Sequence, residues 1–82
     1  MRTTMPADLS GRLRYLRERA GLLPEQVSLN IGISARVISD WERGYRTPRL
    51  VHLRQLAPLY GVSIAALADA ETISEEVATG VA

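Results

Sequence analysis

Residues 32–48, GISARVISDWERGYRTP, leave this chain the least freedom. Ser34 ahead of a short apolar-periodic run reads as a helix N-cap, because its hydroxyl can accept a free backbone N–H of the first turn. Gly44 stands where a helix takes a left-handed C-terminal stop. Pro48 keeps a helix from running through the loop 45–49. The helix bounded this way spans about 35–43. Ile38 and Trp41 lie three apart on one face, as core contacts do. Ala35, Arg36, Ser39 and Asp40 lie on the other. That second face is short, polar and mixed in hydrogen-bonding character, the kind of surface that can enter a DNA major groove and meet base edges. Val37 falls beside it, to meet a thymine methyl or a sugar, or to be partly buried on the scaffold.

The other segments read as a frame for this helix. Leu9, Leu13, Leu16 and Ala20 recur at spacings of 4, 3 and 4 and predict a first helix, capped by Asp8 or Ser10 and ended by Gly21. Arg12, Arg14, Arg17, Glu18 and Arg19 take its other sides. Pro24 suits a first helical turn, where its missing N–H needs no partner, and Glu25 favours the same helix end. A second helix over 24–31 then turns Val27 and Ile31 inward, with the small Ser28 where the third helix comes close. Leu29 falls off that face, exposed without consequence or touching another chain. Gly32 permits a positive φ in the turn. A fourth helix from about 49 carries an apolar stripe of Leu50, Leu53, Leu56, Ala57 and Tyr60. Pro58 removes a hydrogen bond and crowds the carbonyl of Arg54, which predicts a kink or an end between Ala57 and Tyr60. Ser63 caps a short fifth helix, about 64–68, that buries Ile64 and Leu67. The fold class is therefore all-α. A loose arm (1–7) precedes one domain (8–68), and an acidic tail (69–82) follows it, disordered or partner-binding.

Composition narrows the function classes. The 82 residues fit one small domain, and no cysteine is present for disulfides or thiolate-bound metal. No apolar run approaches the ~20 residues of a membrane span, and the N-terminus lacks the apolar core of a signal peptide. The net charge is only +1, but its distribution is uneven. Every basic residue is an arginine lying between Arg2 and Arg54, whereas the chain from Gln55 onward holds acids and no base. A basic front suggests a polyanionic partner, or an ordinary solvated surface. His52 is the only histidine and is expected on the solvent side of the fourth helix. No nucleophile–base set is visible, so neither enzymatic activity, a cofactor nor a metal is expected.

The segments LRYLRERAGL, EQVSLNIGIS, ISDWERGYRTPRL and LRQLAPLYGVSIAAL together resemble the Cro/repressor-type (XRE-like) helix-turn-helix family over about residues 9–67. The resemblance implies a compact five-helix, lambda-repressor-like domain with the third helix in the major groove and the second crossing the backbone. It places base-reading roles on Ala35, Arg36, Ser39 and Asp40. Arg36 is the principal reader, since a guanidinium can pair twice with guanine N7 and O6. Asp40 would accept from cytosine N4, or orient Arg36 four residues away. Phosphate-binding roles fall on Ser34, Arg43, Arg46 and Arg49, helped by N–H groups at helix starts. Arg17 and Glu42 match a structural ion pair between the first and third helices. The chain departs from the family pattern at Leu23 and Pro24, where relatives commonly carry a polar cap and a glutamine. A DNA contact that many relatives make is expected to be missing there.

Two functions compete on this reading. One is a sequence-specific, double-stranded DNA-binding transcriptional regulator of a bacterium or phage. It would be cytoplasmic and nucleoid-associated, a homodimer on a two-fold operator with readers ~34 Å apart. Tyr60, Val62 and Leu67 are candidates for its dimer surface, or for the chain's own core. The other is a protein-interaction module, an antitoxin or adaptor, that uses the acidic tail.

Overall fold

A computed structural model describes residue 6 and residues 8–67. Its elements are α1 (Leu9–Arg19), α2 (Pro24–Ile31), α3 (Ala35–Arg43), α4 (Leu50–Leu59) and α5 (Ile64–Leu67). Helix α3 packs on α1 and α2, α4 packs on α2 and α5, and α5 returns to α1. The core lies between them. Leu13 and Leu16 of α1, Val27 of α2, and Ile38 and Trp41 of α3 meet Leu53, Leu56, Ala57 and Tyr60 of the α4 segment and Leu67 of α5. Every helix contributes, as a chain this short requires if it is to enclose a core at all.

The helix ends explain the bounds. Asp8 stands at the N-cap of α1, but its carboxylate accepts no backbone N–H. It accepts the Ser10 hydroxyl instead, at 3.0 Å. Residue 6 folds back on α1: the Arg12 guanidinium donates to the Pro6 carbonyl through Nε and Nη2, at 3.1 and 3.0 Å. A Cβ on Gly11 would lie 2.9 Å from the Pro6 Cβ, so glycine is what allows that approach. The rest of the predicted arm and the whole predicted tail, 69–82, lie outside the described residues.

Helix α2 begins at Pro24, with the N–H of Leu23 donating to Gln26 Oε1 at 2.7 Å. Leu23 offers the first turn no side-chain acceptor, and the Gln26 amide supplies only the other half of a capping box, the acceptor for the cap residue's own N–H. At the other end of the fold, Pro58 lies inside α4 but only two residues from its C-cap, Tyr60. There it forfeits one bond in the last turn. The neighbouring Tyr60 N–H still reaches Leu56 O at 2.8 Å, and the helix ends at Leu59. Ser63 caps α5, accepting the Ala66 N–H at 3.1 Å.

Three expectations change, and one open alternative is decided. Ala20 is exposed, not inward, because α1 ends at Arg19 and the chain turns away. Leu50 is 41% exposed, since only the later turns of α4 face the core. Of the two readings open for Tyr60 and Leu67, dimer surface or own core, the core holds: they are 6% and 0% exposed within their own chain. His52 is not on the solvent side: its ring lies 5.0 Å from that of Trp41 at 39°. Its Nδ1 accepts the Arg49 N–H at 3.2 Å, at the start of α4.

Candidate nucleic-acid interface

Helix α3 is fixed at both ends and along its inner face. Gly32 turns the chain out of α2 with φ +73°. Ser34 Oγ then accepts the Val37 N–H at 3.2 Å, which meets one of the orphan donors of the first turn. At the far end Gly44 adopts φ +81°, a left-handed conformation that costs an L side chain roughly 1–2 kcal/mol. Ile38 and Trp41 are 1% and 4% exposed and anchor the helix in the core. Val37 is half-buried against the same core.

Glu42 locks the orientation of α3 against α1. Arg17 Nε donates to Glu42 Oε2 at 2.7 Å and Nη2 to Oε1 at 3.0 Å. Its Nη1 donates to the Leu22 carbonyl at 2.7 Å. A bidentate guanidinium–carboxylate pair constrains direction as well as distance, and here it also holds the backbone just before α2. The hydrogen bond to Glu42 raises the Arg17 pKa above its ordinary value, against the opposing effect of burial. Tyr60 is held well above the ordinary phenol value by burial, with the Glu42 charge adding to it.

The outer face of α3 is open. Arg36, Ser39, Asp40, Arg43 and Tyr45 line a hollow of about 520 Å³. Arg36 and Arg43 are exposed, and Ser39 and Asp40 are half-buried. A smaller hollow of about 190 Å³ adjoins it, lined by Arg14 of α1 with Ser39, Glu42 and Arg43. Ala35 is half-buried beside the N-cap and lines neither hollow. Asp40 pairs with Arg46, not with Arg36: Arg46 Nε lies 3.2 Å from Asp40 Oδ2. The loop after Gly44 swings back over the helix end and brings Arg46 to it, which spacing along the helix cannot reveal. Arg49 is exposed at the N-cap of α4. Ser34 is exposed with its hydroxyl engaged in the cap.

The arrangement thus presents a convex helix with one arginine near its start, more arginines at and beyond its end, and small polar groups between. This suits contact with an anionic surface that has readable edges. Two residues of this region were assigned no such place from the sequence. Tyr45 follows directly on the cap glycine, and an aromatic set among arginines was the available signal. His52 stands three residues after the N-cap of α4, a position from which an acceptor can reach back to a backbone N–H. Among the described residues no group of histidine, aspartate or glutamate side chains is arranged to hold a metal ion. No helix there is long and apolar enough to cross a membrane.

Comparison with known proteins places this geometry. The family described as helix-turn-helix matches residues 13–67, which takes in α1 from Leu13 through the end of α5. The chain is 37% identical over 68 residues to the cryptic phage CTXphi transcriptional repressor RstR of Vibrio cholerae, covering 82% of this chain and 61% of that one. It is 39% identical over 56 residues to the HTH-type transcriptional regulator DdrOP3 of Deinococcus deserti, covering 68% of this chain and 43% of the other. A third similarity, 42% identity over 48 residues, is to the uncharacterized HTH-type transcriptional regulator y4dJ of Sinorhizobium fredii, with 58% and 62% covered. The matches therefore span less than two thirds of each relative. No solved structure matches the chain significantly.

Proposed function

This chain belongs to the helix-turn-helix family, and from that premise we propose that it is a sequence-specific, double-stranded DNA-binding transcriptional regulator. Helix α3 enters the major groove, and no catalytic step is involved. The observation that carries this reading is the outer face of α3. Its Arg36 is exposed beside the half-buried Ser39 and Asp40 on an open hollow, while Ile38, Trp41 and Glu42 hold the opposite face in the domain.

Arg36 is the principal base reader, pairing with guanine N7 and O6; Ala35 and Ser39 permit close approach on either side. Asp40 meets the groove with a carboxylate already tied to Arg46, so its contact with cytosine N4 is shared with the loop. Arg43, Arg46 and Arg49 grip phosphates, joined by the backbone at the start of α3 behind Ser34. One such helix spans only a few base pairs. Two copies on a two-fold operator, with readers ~34 Å apart, give the length of site a regulator needs. Leu50 and Val51, 41% and 54% exposed on α4, are apolar surface that such a pairing can use. The site of action is the cytoplasm, at the nucleoid.

Selection from random duplexes tests the proposal. The expected result is an enriched motif with two-fold symmetry, bound with an affinity that falls steeply with salt. Enrichment of no motif at moderate salt would overturn it.

A further inference from the structure

The hollow on α3 is lined at one end by an aromatic residue with no base-reading role assigned above. Tyr45 is 73% exposed, and it shares the hollow with Arg36, nine positions earlier in the chain. The loop after α3 therefore folds back along the face that meets the groove. Its placement is held by Asp40. The N–H groups of Tyr45 and Arg46 both donate to the Asp40 carbonyl, at 2.9 and 3.3 Å. The Arg46 side chain closes on the carboxylate of the same residue. Tyr45 is thus the first residue beyond a left-handed glycine in a tethered turn.

Its chemistry differs from that of its neighbours. Arg36, Ser39, Asp40 and Arg43 offer the hollow charges and hydrogen-bonding groups. Tyr45 alone brings an aromatic ring, which gains when an apolar surface covers it. The major groove presents one apolar group on its floor, the C5-methyl of thymine. We propose that Tyr45 is a further base-reading residue, its ring packed on a thymine methyl near the base pair read by Arg36. The inference rests on the DNA-binding reading above. An uncharged ring neutralises no phosphate, so its contribution is to sequence preference and not to the salt-dependent grip.

The test uses the full chain and the motif enriched by it. Each thymine of that motif is replaced in turn by uracil, which differs only in lacking the methyl. At one position the wild-type chain should lose about fourfold in affinity, as expected for one buried methyl group. Tyr45→Ala should bind the unmodified site about tenfold more weakly and be indifferent to uracil at that position. Tyr45→Phe should keep the discrimination. The slope of log affinity against log salt should be the same for all three proteins. The side chain is exposed, so matched thermal melting of the variants with wild type is expected and serves as the folding control. If no thymine-to-uracil change separates wild type from Tyr45→Ala, this inference is overturned while DNA binding stands. If the wild-type chain enriches no motif at all, the DNA-binding reading itself falls.

Discussion

Removing Glu42 tests whether the orientation of α3 is electrostatically locked. The Arg17 and Glu42 side chains are 9% and 8% exposed, so solvent screens them little and salt should not compensate for their loss. Glu42→Ala deletes both acceptors at once and leaves a guanidinium whose remaining partner is the Leu22 carbonyl. Breaking a buried pair from one side costs roughly 3–5 kcal/mol, because the surviving charge stays desolvated. In a domain of this size each kcal/mol lowers Tm by about 4–8 °C, so even the lower bound corresponds to roughly 12–24 °C. Thermal and urea unfolding followed by far-ultraviolet circular dichroism would measure it. The double variant Arg17→Met, Glu42→Leu removes both charges and should recover most of the loss, since apolar replacement of a buried pair is often neutral. A loss below about 1 kcal/mol in Glu42→Ala, or a double variant no more stable than the single one, would refute the argument that this pair is an uncompensated-charge problem once broken.

Other expectations follow from the same geometry. Arg36→Ala should lose ~1–3 kcal/mol on the selected motif and relax preference at one position, as read by competition with single-base variants. Arg49→Ala should instead weaken binding to all duplexes alike and reduce the salt slope by about one, measurable by fluorescence anisotropy across ionic strengths. Tyr60 gives an alkaline signature. Its folded-state pKa lies above the ordinary value of 10.0, so its contribution to stability is complete below about pH 10 and declines as pH rises beyond it. Chemical denaturation of Tyr60→Phe should show a flatter pH dependence than wild type above pH 10, and an identical slope would count against burial as the cause.

Much of the frame was legible because it is local. Pro24, Ser34 and Gly44 state the ends of α2 and α3 in their own backbone preferences, and both helices fall where those residues predict. Leu13, Leu16, Ile38 and Leu56 announce the core by spacing alone. The ends of α4 and α5 were readable for the same reason, from Pro58 and Ser63.

Spacing misled at the ends of helices, as at Ala20 and Leu50, and wherever several chemically possible partners compete. Asp40 and Arg36 are neighbours by helical geometry, yet the carboxylate goes to Arg46 because Gly44 reverses the chain. His52 reads as a surface residue by spacing, but the fold brings the Trp41 ring of α3 against its imidazole. Tyr60 and Leu67 were equally suited to an interface or a core, and the return of α5 to α1 decided for the core. The sequence by itself determined the helices and the glycine and serine ends of α3, since these depend on dihedral preferences and a 3.6-residue period. Only the tertiary structure decided which side chains pair and which stay open to solvent, because side chains distant in the chain become neighbours only when the helices close on a shared core.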